Sequence, residues 1–437
     1  MKSHVRLGLI GFGTVGSGVA KILQRHADEM NRRCGARLQL AVVCDRSLGS
    51  RSGAGLPAGA RVTRDWKEVV NDPTLDIVIE LIGGYEPART IVEAALSAGK
   101  HVVTANKAIL SKHWGELFTL ANRHRHLLYF EASVGGGIPV IQALNEGLAA
   151  NRIERVSGIL NGTTNYILTR MEEQGEDFAG ALKDAQKAGF AEADPTFDVE
   201  GIDAAHKIAI LASIATGGWV HVQDVYREGI SHIEPVDLLM GRERLDSTIK
   251  LLGIASWIKS GLEIRVHPAL VSRHHPFATV RNEYNAVCVE GDSAGDVILY
   301  GKGAGQLPAA SAVVSDIIFL ARQVVIGTAG EIPYVTYDHS RSPRIVPMEE
   351  SWYRYYLRLT TTDRPGVLAR ITGVLARCGV SIASVYQDVK EQHRMSGGVS
   401  IVLITHRARE ESVQKARHLI DGLTVSRKKM ALIRILD

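Results

Sequence analysis

Asp203 and Lys207 are the first residues whose types and spacing suggest chemistry. They stand four positions apart, followed by the apolar run Ile208-Ala-Ile-Leu-Ala-Ser-Ile214. On a helix such positions share a face. Their neighbours Ile202, Ala204, Ala205, Ile208 and Leu211 make the helix apolar nearly all round, the pattern of a buried one. Charges held in such a place cost desolvation energy, and groups kept there are often functional. Desolvation lowers a lysine's pKa and an adjacent carboxylate raises it. Opposed, the two effects bring a lysine toward working pH, where proton transfer is most effective. An ordinary helix salt bridge with a snorkelling lysine would leave the same pattern. The lead-in adds Glu192, Asp194 and Asp198 around Pro195, a loop able to bring further carboxylates to one pocket.

Four upstream stretches carry a second kind of chemistry. Val5 to Ile10 reads as a buried parallel strand, followed by Gly11-Phe12-Gly13-Thr14-Val15-Gly16 and by helical sequence from Ser17 to Arg33. Between a strand and a helix, the three glycines serve a tight turn, close approach of a pyrophosphate and helix packing. The helix N-terminus supplies N–H donors to phosphate. A second strand, Leu38 to Cys44, ends at Asp45-Arg46-Ser47, with Arg51 nearby. The acid suits the ribose hydroxyls of NAD and the arginines suit the extra phosphate of NADP, so the preference stays open. A third strand, Ile77 to Ile82, runs into Gly83-Gly84. The strand His101 to Thr104 ends at Ala105-Asn106-Lys107, which places Lys107 where open α/β sheets bind ligands. A lysine in that position is also common as plain solvated loop.

Leu127 to Phe130 forms a last strand before Glu131-Ala-Ser-Val134-Gly-Gly136-Gly-Ile138-Pro139. The Glu131 carboxylate and the exposed carbonyls of the glycine run could ligate a hard cation. A hinge between domains fits those residues equally well.

At 437 residues the chain has room for about three domains. Its 45% apolar and 22% charged content is that of a soluble globular protein. A net charge of +4 without a basic stripe argues against a nucleic-acid partner. Cys34, Cys44, Cys288 and Cys378 are scattered without CxxC pairs, which fits reduced thiols in a cytoplasmic protein. The His124/His126 and His274/His275 pairs lie in polar stretches and read as solvated surface. Strand-like sequence starts near His4, leaving no room for a signal peptide, and no apolar run is expected to reach the length of a membrane span.

After Pro139 the pattern changes to a helix over Val140 to Leu148 and a strand over Ile153 to Leu160. Asn161-Gly162-Thr163-Thr-Asn-Tyr166 follows, and further strands are read at Glu263 to Val271, Tyr284 to Val289 and Asp296 to Tyr300. These predict an α+β domain with a mixed sheet. Residues 331–352 carry Pro333, Pro343 and Pro347 and read as a linker. The tail alternates: strand Arg354 to Thr361, helix Val367 to Cys378, strands Ser381 to Val389 and Gly398 to Thr405, helix Glu410 to Gly422, strand Val425 to Ile435. That order, βαββαβ, is ferredoxin-like. Asp363-Arg-Pro-Gly-Val-Leu368 at its first loop resembles the signature of ACT domains, which bind amino acids and often pair between subunits. A purely dimerising role would suit the same fold.

Taken together, GFGTVG, TANK (104–107), EASVGGGIP (131–139), GILNGTTNYIL (158–168), GFAEADP (189–195) and the D-x-x-x-K of 203–207 closely resemble homoserine dehydrogenases. The resemblance covers residues 4–330. It implies reversible NAD(P)-dependent reduction of aspartate semialdehyde to homoserine. Lys207 would be the general acid–base with Asp203 beside it, and Lys107 a second lysine near the nicotinamide. Glu192 would hold the substrate amino group, with Asp198, Gly162 and Thr163 completing its pocket. Gly11 to Gly16, Asp45, Arg46, Arg51, Ile82, Gly83, Lys107 and Gly303 would line the cofactor. Glu131 and the carbonyls of Val134, Gly136 and Ile138 would hold a sodium-like ion. Phe190 stands where some relatives carry tyrosine. The implied organisation is a Rossmann-type dinucleotide-binding domain (1–138, completed by 305–330), a substrate and dimerisation domain (139–304) and an ACT regulatory domain (353–437). Such a chain would be monofunctional, a homodimer or homotetramer, and sensitive to threonine. The alternatives are another amino-acid dehydrogenase of the same plan and a non-catalytic amino-acid sensor. Whether Lys207 or Lys107 carries the proton is left open.

Overall fold

The computed structural model describes residues 2–47, 56, 59–387 and 398–436. Arg51, expected beside the cofactor, lies outside them. The chain forms two compact units: Met1–Val156 with His206–Asp224 and Asn285–Pro343, and Ser157–Ala205 with Val225–Tyr284 and Arg344–Asp437.

The first unit is built on β1 (His4–Ile10), whose apolar run is buried on both faces as an interior parallel strand requires. The glycine turn leads into α1 (Thr14–Arg25). The expected single helix breaks at His26, and α2 (Ala27–Cys34) follows. Next come β2 (Arg37–Cys44), β3 (Arg61–Thr63), α3 (Trp66–Val70), β4 (Ile77–Glu80), α4 (Ala88–Ser97), β5 (His101–Thr104), α5 (Lys107–His124) and β6 (Leu128–Tyr129). The sheet order is β3-β2-β1-β4-β5-β6 with parallel pairings throughout. This is the doubly wound order of a Rossmann fold, and it opens a crevice where β1 and β4 diverge.

The chain continues through α6 (Val140–Gln142), β7 (Ile153–Ile159), α7 (Gly162–Gln174), α8 (Phe178–Lys187), α9 (Thr196–Val199) and α10 (Ile202–Thr216). The helix expected to run to Leu148 turns into a π turn over Ala143–Gly147. Then come β8 (Tyr226–Arg227), α11 (Pro235–Arg244), β9 (Ser247–Ile258), β10 (Gly261–Ser272), β11 (Tyr284–Gly291), β12 (Gly295–Lys302) and α12 (Gln306–Ile326). By length and composition α12 would cross a membrane, against the expectation from sequence. Here it is a core helix of the first unit: Ala310, Val313, Ile317 and Leu320 are buried with Val5, Leu9 and Val19. Ala310 leaves no space for a side chain at Gly18 of α1.

In the second unit β9 and β10 form a long antiparallel hairpin. The tail supplies β13 (Trp352–Thr361), α13 (Val367–Arg377), β14 (Ile382–Tyr386), β15 (Val399–Thr405), β16 (Ala408–Arg409), α14 (Glu410–Asp421) and β17 (Ala431–Ile435). Its strand order β17-β13-β15-β14 is that of a βαββαβ fold. Leu357 and Leu359 of β13 pack with Ile371 and Leu375 of α13 and with Val413 and Ile420 of α14. β17 also pairs in parallel with β10, so a single mixed sheet joins the tail to the rest of this unit.

Two buried ion clusters reinforce that junction. Arg434 of β17, 0% exposed, donates to Glu410 at 2.9 and 2.5 Å and to Glu228 at 2.6 Å. Arg358 of β13 forms a fork on Asp237 at 2.6 and 3.0 Å, and the Tyr356 hydroxyl adds a third donor at 2.9 Å.

Candidate active site

The dinucleotide crevice follows from backbone geometry. Gly11 has φ +101°, and a side chain there would meet the Leu81 backbone at 2.7 Å. A side chain at Gly16 would collide with the Gly11 carbonyl, whereas Gly13 faces open space. The first turn of α1 carries no side-chain cap, so its N–H groups are available to an anion. A cavity of about 350 Å³ opens beside this loop, lined by Asp45, Arg46, Arg64, Trp66 and Ile82 among others. Asp45 braces the loop: it accepts the Phe12 N–H at 2.7 Å, and its other oxygen accepts the Ser47 N–H at 2.8 Å and the Ser47 hydroxyl at 2.6 Å. Arg64 was not anticipated. Its position follows from β3, a three-residue strand too short for its own pattern, which adds to the sheet beside β2. These features fit a dinucleotide whose pyrophosphate approaches Gly13.

A buried polar network then sets the far side of the crevice. Glu80 ends β4 and is fully buried, and burial pushes its carboxyl above the ordinary range. One oxygen accepts the Ile82 N–H at 2.8 Å and the other the Thr104 hydroxyl at 2.6 Å. Asn106 donates its side-chain amide to the Gly84 carbonyl at 2.8 Å and caps α5 through Ala108 and Ile109. Lys107 is therefore the first residue of a capped helix at the carboxyl end of β5. Neither Glu80 nor Asn106 was singled out from sequence.

Helix α10 carries Asp203 and Lys207 one turn apart, 3% and 8% exposed. The His206 Nδ1 lies 2.6 Å from the Ser111 hydroxyl. That hydroxyl also lies 2.9 Å from the Lys107 carbonyl. If its one proton goes to the carbonyl, His206 is the donor in the pair. This contact joins the two lysine-bearing helices within the first unit.

In the second unit, Asn161 caps α7 by accepting the Thr164 N–H at 2.8 Å. Its amide nitrogen donates to Asp198 at 2.7 Å and to Asp203 at 2.9 Å. Thr163 donates its hydroxyl to the Phe190 carbonyl at 2.6 Å, and a side chain at Gly162 would strike the Glu283 carbonyl. Asp198, Asp203, Gly162 and Thr163 are thus gathered around one loop. Glu192 lies on the exposed stretch 192–194, and its carbonyl accepts from Gln186 at 3.1 Å.

Glu131 is 3% exposed, and its two oxygens accept the N–H groups of Ile141 and Gln142 at 2.9 Å each. Burial pushes its carboxyl up to about 7. Its own N–H donates to Asp316 at 2.8 Å, a fully buried carboxyl that burial holds well above its ordinary range. Gly136, with φ +57°, packs so tightly that a side chain would meet the Gly303 carbonyl at 2.5 Å. The Ile138 carbonyl already accepts the Val140 N–H at 2.8 Å. Among the described residues no cluster of three His, Cys, Asp or Glu side chains could hold a metal ion. A buried carboxylate is nevertheless a group that a hard cation would stabilise, by offsetting the charge that burial penalises.

Residues 11–131 match the family described as homoserine dehydrogenase, NAD binding domain, residues 139–318 match homoserine dehydrogenase, and residues 355–418 match the ACT domain. The homoserine dehydrogenase of Neisseria gonorrhoeae is 42% identical over 434 residues, covering 99% of this chain and 98% of its own. The crystal structure of a homoserine dehydrogenase from Thiobacillus denitrificans superposes with a TM-score of 0.93 at 43% identity, covering 100% of this chain and 99% of its own. A hyperthermophilic archaeal homoserine dehydrogenase mutant in complex with NADPH covers 74% of this chain and 98% of its own, with a TM-score of 0.62 at 26% identity. The chain binds a nicotinamide dinucleotide and belongs to the homoserine dehydrogenase family.

Proposed function

We propose that the chain interconverts L-aspartate 4-semialdehyde and L-homoserine, with NADP as the preferred cofactor. The observation that carries the reaction is the pair of buried charges on α10, Asp203 and Lys207, in a chain that also has a dinucleotide crevice. A bound reduced nicotinamide supplies the hydride. Lys207 gives the proton to the carbonyl oxygen, and takes it back in the reverse direction. Asp203 keeps that lysine charged until transfer, by ordinary electrostatics. Lys107 polarises the same oxygen. Glu192 binds the substrate ammonium, and Asp198, Gly162 and Thr163 complete its pocket.

The NADP preference rests on Arg46 and Arg64 lining the same cavity while Asp45 is engaged by the Phe12 and Ser47 amides. Guanidinium forks match a 2′-phosphate. Glu131, with the carbonyls of Val134, Gly136 and Ile138, holds a sodium-like ion. Residues 1–138 with 305–330 serve the cofactor, 139–304 the substrate and dimerisation, and the tail at 353–437 senses threonine. The protein works in the cytoplasm as a homodimer or homotetramer.

Steady-state oxidation of homoserine with NADP and with NAD, with and without threonine, tests these points together. Lys207→Ala should keep cofactor affinity and lose most turnover. Near-normal turnover in that variant overturns the proton-transfer assignment.

A further inference from the structure

We propose that Asn161 is a positioning residue that fixes Asp198 and Asp203 relative to each other. The inference rests on the roles given above to those two acids. Asn161 is 4% exposed and lies just beyond β7, as the N-cap of α7. Both ends of its side-chain amide are engaged. The two amide hydrogens go to Asp198 at 2.7 Å and Asp203 at 2.9 Å. The oxygen accepts the Thr164 N–H at 2.8 Å and its hydroxyl at 3.0 Å. A flipped amide would aim its oxygen at two carboxylates and its hydrogens at a backbone N–H, so the orientation is dictated.

The two acids come from different elements. Asp203 sits in the first turn of the long helix α10. Asp198 sits on α9, a four-residue helix with no side-chain cap. The Ile230 N–H holds the end of α9 by donating to the Val199 carbonyl at 2.9 Å, and the Ser231 hydroxyl reaches Glu200 at 3.0 Å. Two carboxylates brought to one amide repel unless a donor lies between them. Asn161 is that donor, and it is neutral, so it holds both acids without cancelling the charge of either.

The test uses the full-length protein with two substitutions that keep the helix cap. Asn161→Ser retains a good N-cap and removes the bridging amide. Asn161→Asp retains the cap and places a third carboxylate against the other two. Asn161→Ser should lower kcat for homoserine oxidation by about 10- to 100-fold, the usual scale for a small displacement of reacting groups. Its KM for NADP should be unchanged. Asn161→Asp should move the acid limb of kcat/KM to higher pH. A cap-only role would leave both pH profiles where the wild type has them. Unfolding gives a readout that needs no activity: the melting temperature of Asn161→Asp should gain on the wild type as pH falls from 7 to 5, because protonation relieves the triple repulsion. Wild-type protein inactive on homoserine would sink the functional reading, and the unfolding profile would still decide the role of Asn161. Wild-type kcat in Asn161→Ser, or an Asn161→Asp melting profile parallel to the wild type, overturns the proposal.

Discussion

Replacing Glu131 by glutamine should remove a pH-dependent and cation-dependent part of the protein's stability. Burial raises the Glu131 carboxyl from 4.5 to about 7. An acid raised in the folded state lends stability that is complete below its unfolded pKa and is lost as pH climbs through the folded value. The loss therefore falls between about pH 4.5 and 7. At about 1.4 kcal/mol per unit it amounts to about 3 kcal/mol. In a unit of roughly 230 residues, each kcal/mol moves the melting temperature by about 2 °C. Without sodium, the wild-type protein should melt about 6 °C lower at pH 8 than this group would dictate at pH 4.5. Sodium should recover part of that at pH 8 and nothing at pH 5, where a proton already holds the site. The side chain of the Glu131→Gln variant cannot ionise, but its NH₂ would face one of the two N–H donors from Ile141 and Gln142, a cost of about 1–3 kcal/mol. The variant should then melt near the wild type at pH 8 without sodium and ignore added sodium. Differential scanning fluorimetry in sodium chloride against choline chloride at equal ionic strength measures this. An equal sodium response in wild type and variant, or one as large at pH 5 as at pH 8, refutes the reasoning.

Arg64→Ala should raise the KM for NADP by about 10- to 100-fold, the scale of one charged hydrogen bond, and leave the KM for NAD unchanged in steady-state assays. Arg434→Met strands the buried Glu410 and strips the half-buried Glu228 of its partner, and should cost about 3–5 kcal/mol, read by urea unfolding of the full chain. Adding Glu410→Gln should return part of that loss. Lys250 is buried in β9, donates to Asn165 at 3.1 Å and to the Val280 carbonyl at 2.6 Å, and burial lowers its pKa to about 8. The unfolded lysine keeps its proton to about pH 10.4, so wild-type stability should rise from pH 8 toward 10. Lys250→Met should lose that rise.

The elements legible in the sequence were those whose pattern matched their environment. The run before Gly11 named an interior strand, and the tail's alternation gave all six βαββαβ elements, with helix starts at Val367 and Glu410 as found. The strand β9 was missed. Its sequence, Ser247 to Ile258, is buried for ten residues in a row, so it shows no alternation to distinguish strand from helix. β3 and β8 were too short for a period of their own. At the candidate site, the charged residues were visible because charges in apolar sequence are conspicuous. Asn161 and Asn106 were not, because an asparagine before a helix reads as a cap, and both are caps. Only their second set of hydrogen bonds, made to residues 22 to 42 positions away, distinguishes them. Glu80 looked like the tail of a strand until its partner on β5, Thr104, was in view.

The last helix of the first unit has a consequence for how the molecule comes to exist. β1 leaves the ribosome about 300 residues before α12, yet the two share a core. Until Gln306–Ile326 has been made, Val5, Leu9 and Val19 lack the surface that covers them. Closing a contact of that span is slow, and the open intermediate exposes apolar surface. The glycine motif lies far upstream of α12, so the nucleotide crevice is finished only long after its own residues have been translated. A nascent chain stopped short of α12 should need a chaperone, and should not bind dinucleotide.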